Sequence, residues 1–178
     1  MSFDTVQFYN NAIAIVAGCG FAALSFRLLP PPSPEFRSQR LLQLALRNLR
    51  HLAATDTQRL DKWETRMYGH LAALPEQAEP LQRAQLITAL SVGIEIIQLR
   101  RAAFTLGKEC ELKPALQAFA QGNTAAAVNQ LARIDDQLAR LAEDDRLAFD
   151  ATRARGYILA ISDAVAQHRE YLYSGVYA

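Results

Sequence analysis

The sequence predicts an all-α protein, with an N-terminal apolar helix that leads through a proline-rich segment to an antiparallel bundle of about six helices. Two observations predict this fold class. Apolar residues recur at spacings of three and four from residue 33 to near the C-terminus. Over the same region no segment alternates with a period of two, and no run of β-branched residues indicates a strand.

The first element is an apolar segment that ends at three consecutive prolines. Residues 12–29 carry a single charge, at Arg27, and the prolines that follow must end a helix because they lack an N–H. At about 1.5 Å per residue this segment would be roughly 27 Å long, which nearly matches a hydrocarbon core of about 30 Å. The sequence therefore predicts a membrane-spanning helix, with Phe8 and Tyr9 near one interface.

The same segment has two other interpretations. Gly18 to Ala23 fits the G-x-G-x-x-A pattern, which cradles a pyrophosphate between a strand and a helix in dinucleotide-binding folds. Ala12 to Val16 would be that strand, but a second strand must follow and end in an acidic residue about 20 residues later. Residues 30–34 are prolines and a serine instead. The dinucleotide interpretation therefore lacks its second strand. A buried core helix in a soluble bundle is the other alternative.

The charges on either side of the segment predict an orientation. Residues 1–11 contain no lysine or arginine, whereas residues 27–50 contain one acid, Glu35, and five arginines. The positive-inside rule therefore places everything after residue 30 in the cytoplasm, with residues 1–30 as the membrane element and residues 31–178 as the bundle. The five arginines are also candidate contacts with anionic lipid headgroups: Arg27, Arg37, Arg40, Arg47 and Arg50.

Caps and apolar stripes predict the first two helices of the bundle. Ser33 can cap a helix over residues 33–54, with Pro34 at its first position. Thr55 or Asp56 can cap the next helix. The apolar stripes of these two helices are Leu42, Ala45, Leu49 and Leu52, and then Leu60, Trp63, Met67, Leu71 and Leu74.

Glycines and an asparagine delimit the remaining helices. One helix is predicted over residues 80–107, with Gly107 as its stop. A short helix is predicted over residues 112–121, and Gly122 ends it. Asn123 can cap the next helix. The last is predicted as one continuous helix over residues 144–173, because its apolar stripe is a near-strict heptad: Leu147, Ala151, Ala154, Ile158, Ile161, Val165, His168 and Leu172.

Composition argues against several classes of function. The formal net charge is +1, whereas a nucleic-acid-binding domain usually shows a strong basic excess. Cys19 and Cys110 have no metal-type spacing and are predicted to be reduced thiols. The three histidines are not spaced as a metal site, and no nucleophile motif is present. We therefore predict no enzyme activity, no cofactor and no metal.

Four stretches of the sequence resemble a known family. They are FRLLPPPSP at residues 26–34, the arginine-rich RSQRLLQLALRNLRHLA, DKWETRMYGHLAALP, and the helix segment Gly93 to Arg101. Together they are similar to the C-terminal end of the fusaric acid resistance (FUSC) family. Its members are aromatic acid exporters of bacterial inner membranes, in which two blocks of membrane helices are each followed by a cytoplasmic helical domain.

The resemblance implies a non-catalytic C-terminal portion of such an exporter, which supports assembly or gating. It covers essentially the whole chain, as the last membrane helix plus the second cytoplasmic domain. Family members are several times longer, so we expect an excised fragment or a truncated reading frame. The implied partners are membrane lipid and the remaining membrane domain. The alternative function is a soluble helical interaction module that self-associates through its N-terminal helix. We expect a homo-oligomer, because the heptad-bearing C-terminal helix and the apolar N-terminal helix both favour self-association.

One group of residues near the bundle surface is a candidate interface. It comprises Trp63, Glu64, Arg66 and Tyr68. Glu64 and Arg66, like Glu95 and Arg100, lie beside apolar stripes, where they would form ion pairs, contact the membrane domain or simply face solvent. The aromatic rings of Trp63 and Tyr68 are predicted to belong to the core.

Overall fold

The computed structural model describes residues 5–28, 33–55, 59–143 and 146–173, and in the first range the side chains of residues 7–25. These residues form eight α-helices and no strand, which confirms the all-α prediction. The chain divides into two compact units, Met1–Ser33 and Pro34–Ala178. The helices are α1 (Thr5–Leu28), α2 (Pro34–Ala54), α3 (Leu60–Ala72), α4 (Pro80–Thr105), α5 (Glu109–Ala120), α6 (Thr124–Leu141), α7 (Ala148–Gln167) and α8 (Arg169–Tyr173).

In the first unit, α1 is a single helix of 24 residues. It begins seven residues before the predicted start at Ala12, because residues 5–11 mix polar and apolar side chains but include no helix breaker. Ala12 to Val16 are helical, as are Gly18 and Gly20. The strand that a dinucleotide-binding fold requires is therefore absent, and that interpretation is wrong.

The second unit begins with α2 at Pro34, where proline is tolerated because the first N–H of a helix has no partner. The stripe of α2 is buried as its spacing predicts, and Leu49 and Leu52 are fully buried. The predicted cap of α3 is wrong at Thr55, since the N-cap is Arg59, in an extended conformation and without a side-chain bond. Asp56, the other predicted cap, lies outside the described residues.

Helix α4 begins and ends at recognisable signals. At its start Glu79 and Gln82 form a reciprocal capping box, with Pro80 in the first turn. At its end Gly107 adopts a φ of 66°, a left-handed conformation that glycine reaches without steric cost. Gly122 does the same after α5, with a φ of 79°. Asn123 caps α6 as predicted, since its side chain accepts a bond from the Ala126 N–H at 3.0 Å.

The predicted last helix is broken at His168. Its backbone has φ −117° and ψ 35° and closes α7, after which α8 begins at Arg169. The heptad continues through the break, since Val165 and Leu172 are both buried, so periodicity alone does not reveal it. The second unit consequently has seven described helices, against the predicted six or so.

The core of the second unit forms around α4. This helix packs against α2, α3, α5 and α7, and each of the helices from α3 to α8 contacts the one before it in the chain. Leu86, Ile96 and Leu99 of α4 are almost completely buried. Because α4 lies at the centre of the core, α2, α3 and α7 turn their other sides outward, and exposed residues such as Arg40, Tyr68 and Leu159 lie there.

Candidate functional site

The outward face of α2 presents arginines to solvent. Arg37, Arg40 and Arg47 are exposed. Phe36 lies four residues before Arg40, and Arg47 lies seven residues after it. The side chains of Phe36, Arg40 and Arg47 therefore share one face of the helix. Phe36 is 56% exposed, which gives this face an aromatic ring among its cations. The side chain of Arg27, the fifth predicted lipid contact after these and Arg50, lies outside the described residues.

Arg50 is held inside the bundle rather than on that face. It is half-buried, and its Nη2 donates to the Leu172 carbonyl at 3.0 Å. Its buried Nε has no acceptor in the described part of the chain, and burial lowers the pKa of its guanidinium. The hydroxyl of Tyr171 donates to the Leu42 carbonyl at 3.1 Å. These two bonds join α2 to α8, a role that the sequence did not predict for Arg50.

Trp63 lies at the crossing of α3 and α4. It is 1% exposed, and its Nε1 donates to the Leu90 carbonyl at 3.1 Å. A Cβ on Gly93 would lie 2.2 Å from the Trp63 Cε2 atom, so the ring requires a glycine opposite it. The predicted core position of Trp63 is confirmed, as is that of Met67, which is also fully buried.

The other candidate interface residues lie on two sides of α3. Glu64 is half-buried and Tyr68 is 57% exposed; they are four residues apart and share one side of the helix. Arg66 is exposed on the other side. The prediction that Tyr68 belongs to the core is wrong. Tyr68 follows buried Met67 by one residue, so it points to a different side of the helix from the Trp63–Met67 stripe.

A histidine links α2 and α3 beside this group. The Asn48 amide nitrogen lies 3.1 Å from His70 Nε2. Burial, and then the nearby charge of Arg66, lower the pKa of His70. A neutral imidazole accepting from the amide satisfies both groups, so the contact favours unprotonated His70. No local pattern in the sequence indicates this contact, which spans 22 residues of the chain.

Arg100 closes the C-terminal end of α2. Its guanidinium donates to the carbonyls of Leu52 and Ala53 in the last turn of α2 and of Thr55 just after it, where a helix has carbonyls that need partners from outside it. In the sequence, Arg100 is marked only by its position near the end of an apolar helix. In the structure it directly follows the buried Leu99. Arg100 therefore acts as a cap of α2 in the tertiary structure.

A groove of about 690 Å³ opens beside this cap, between the ends of α2 and α4 and the start of α5. Its wall combines apolar residues with cations, among them Phe104, Arg101 and Lys113, together with the thiol of Cys110. Phe104 is 74% exposed. Across the described residues no group of three histidine, cysteine, aspartate or glutamate side chains could hold a metal ion.

Comparison with known proteins gives a family match. The model of the fusaric acid resistance protein family matches residues 1–174, nearly the whole chain, and confirms the resemblance seen in the sequence. No curated protein and no solved structure matches at a significant level. The family is one of membrane transport, and this fits the finding that, among the described residues, one helix is long and apolar enough to cross a membrane.

Proposed function

Because the chain belongs to the fusaric acid resistance protein family, we propose that it is a non-catalytic C-terminal portion of an inner-membrane exporter of aromatic carboxylic acids. In this role α1 is the last membrane helix, and the bundle from α2 to α8 supports assembly of the transporter or gates access to it. The observation that supports this proposal most directly is that α1 is long, apolar and exposed.

Within α1, Gln7–Ser25 has a mean hydropathy of 1.3 and none of it is buried. In water such a helix would expose Ile13, Val16 and Phe21, each at least 65% accessible, and a large exposed apolar surface of this kind marks a membrane or protein contact. Its polar Ser25 hydroxyl donates to the Phe21 carbonyl at 2.8 Å, so the helix satisfies that donor itself, as a lipid environment demands.

The arginines that follow the span in the sequence support the proposed orientation. Arg37, Arg40 and Arg47 are exposed, and the positive-inside rule assigns a segment rich in such cations to the cytoplasm. Each such cation near an anionic leaflet contributes about 1 kcal/mol to membrane attraction. Phe36 shares their face and is more than half exposed. We therefore propose that the outward face of α2 contacts lipid headgroups, together with Arg27, and that Arg50 contributes by fixing α8 against α2.

The bundle would contact the rest of the transporter, or copies of itself, through α3. Tyr68 and Glu64 offer an aromatic ring and a carboxylate on one side of this helix, and Arg66 offers a cation on the other. Trp63 is too deeply buried to touch a partner, so it acts on this surface by fixing the position of α3 against Gly93.

The alternative function is a soluble helical module that self-associates through α1. The exposure of α1 favours this as much as it favours insertion, since both solutions bury the same residues. The two proposals differ in what removes the apolar surface from water: a hydrocarbon core or a second protein surface.

Fractionation of the expressed chain separates the two functions. We expect the full chain to remain in membranes after a carbonate wash, and a version lacking residues 1–30 to be soluble and helical. A full chain that is soluble without detergent would contradict the span and favour the interaction module.

A vesicle experiment tests the headgroup contact of α2. In the soluble version, changing Arg37, Arg40 and Arg47 to glutamine should weaken flotation with phosphatidylserine vesicles, and added salt should weaken it further. The matched control changes three exposed arginines elsewhere, Arg101, Arg133 and Arg140. Equal losses for the two triple variants would mean that net charge, rather than this face, binds the vesicle.

A further inference from the structure

The face of α7 that points away from the bundle carries apolar side chains that the described residues of the bundle leave exposed. Its buried side, which includes Ile158 and Ile161, packs against α4 and α6. On the outward side Phe149 is 70% exposed and Leu159 is 71% exposed. Between them Gly156 has open space around it, since a Cβ there would meet nothing within 4 Å. Apolar side chains on an open helix face of this kind indicate a contact with another protein surface.

Two opposite charges lie on the same outward face. Arg153 donates to the Tyr157 hydroxyl at 2.9 Å, and its guanidinium lies 5.4 Å from the centre of the Phe149 ring. Asp163 accepts a bond from Gln167 at 2.8 Å. In the described part of the chain neither charge has an ion-pair partner. Both charges are therefore held in place and available to a partner of complementary charge.

These residues are arranged so that two copies of α7, running in opposite directions, would bring opposite charges together. Arg153 and Asp163 are equally distant in sequence from Ile158, and so are Gly156 and Ala160. In an antiparallel pair related by a two-fold axis at that level, each Arg153 lies opposite the partner's Asp163, and each Gly156 opposite the partner's Ala160. The two copies of Leu159 meet close to the axis. A parallel pair would instead place like charges together, which disfavours it.

We propose that the outward face of α7 is the contact between two copies of this chain, in which two α7 helices pack antiparallel about a two-fold axis at the level of Ile158. The proposal assigns self-association to α7, as distinct from the contact through α1 in the alternative function and from the α3 surface, which then meets the rest of the transporter. It does not depend on transport or on membrane insertion, because every residue that carries it belongs to the bundle unit.

The first test measures dimer dissociation of the full chain in mild detergent by sedimentation equilibrium. Leu159→Glu places two carboxylates beside the axis and should raise the dissociation constant at least about tenfold. The matched control is Leu81→Glu, which adds the same charge at an exposed leucine of α4. Equal effects of the two substitutions, or none from Leu159→Glu, would overturn the proposal.

Charge exchange tests the antiparallel register. Arg153→Glu and Asp163→Arg should each weaken the dimer, because each creates two like-charge contacts about the axis. The double variant restores both pairs and should recover most of the affinity. Arg133→Glu on α6 controls for the change in net charge. If the double variant is no tighter than the single variants, the two-fold register is wrong.

Cross-linking in membranes tests the contact without detergent and separates it from association through α1. Two differently tagged copies, each with Cys19→Ser and Cys110→Ser, carry Gly156→Cys in one and Ala160→Cys in the other. Oxidation should link the two tags, whereas Asn129→Cys, at an exposed position of α6, paired with Ala160→Cys should not. A link that forms equally with the control pair would overturn the proposal. A link in a chain that the carbonate wash removes from membranes would support it and contradict the span.

Discussion

At Gly93, α4 lacks a side chain, and the indole of Trp63 occupies the space that a side chain would need. The ring is 1% exposed and donates to the Leu90 carbonyl. Neither the ring nor the backbone of α4 can move without breaking that bond or opening the core. One missing side chain therefore sets the distance between α3 and α4.

We predict that Gly93→Ala destabilises the bundle by about 1–3 kcal/mol, because its Cβ would overlap the Trp63 ring and force both helices to shift. Denaturant unfolding followed by circular dichroism measures this free energy. The control is Gly69→Ala in α3, where a Cβ meets open space, and where stability should rise by up to about 1 kcal/mol. A neutral Gly93→Ala would show that the ring has room to move.

His70 should make the stability of the bundle depend on pH. Its pKa in the folded chain lies below the ordinary value of 6.5, chiefly because of burial. Above pH 6.5 both folded and unfolded chains hold it neutral, so its contribution to stability is complete. As the pH falls below that value the unfolded chain takes up the proton first. Stability is therefore lost progressively until the pH has passed the folded pKa.

The measurement is the free energy of unfolding from about pH 7 to about pH 5 in the original chain and in His70→Gln. Glutamine cannot titrate, so the loss should be smaller in the variant. Arg66→Gln should raise the pKa of His70, as followed by NMR, since the Arg66 charge helps to lower it. Identical pH profiles for the original chain and His70→Gln would contradict the assignment.

At the scale of elements, α8 is a short helix that the bundle holds by its side chains. Five residues form few backbone bonds, so a helix of this length is not stable by itself. Leu172 is 1% exposed, Tyr171 bonds the Leu42 carbonyl, and Arg50 bonds the Leu172 carbonyl. The turn at His168 directs these residues into the core.

We predict that Leu172→Ala costs about 2–5 kcal/mol of unfolding free energy, as expected when a buried leucine leaves a cavity. Tyr173→Ala, on the exposed side of the same helix, should change stability by less than about 0.5 kcal/mol. Thermal unfolding of the two variants, with hydrogen exchange of α2 as a local readout, checks both values. A loss in Leu172→Ala no larger than that in Tyr173→Ala would contradict the role of the Leu172 side chain in holding α8.

At the scale of the whole molecule, the chain joins an apolar helix to a helical bundle whose surface is charged. Within the bundle unit Cys110 is exposed, and within α1 Cys19 is exposed. If α1 crosses the membrane, lipid surrounds Cys19 and water surrounds Cys110. The reactivity of Cys19 then reports on the insertion of α1, and that of Cys110 reports on the side of the membrane where the bundle lies.

We predict that, in a Cys19→Ser variant, a membrane-impermeant maleimide labels Cys110 in inverted membrane vesicles and not in right-side-out vesicles. The positive-inside arrangement requires this result, because it places the bundle in the cytoplasm. Detergent-solubilised protein, in which Cys110 should react fully, is the control. Labelling from the outer face would reverse the proposed orientation.

The sequence by itself determined the helical class, most helix boundaries and the family. These depend on local signals: the stripe of α2, the glycine after α4 and Asn123 at the start of α6 all act within a few residues of themselves. The family match rests on the same linear information, since residues 1–174 follow one family pattern. The face of α2 that carries the arginines was predictable for the same reason.

Only the tertiary structure decided which polar residues work inside the bundle. Arg50, Arg100 and His70 contact groups that lie 22 to 122 residues away in the chain, and no local pattern records such pairings. The break at His168 escaped detection because the heptad on its two sides stays in phase with the core. Burial and long-range hydrogen bonds depend on where helices meet, and that is a property of packing rather than of sequence spacing.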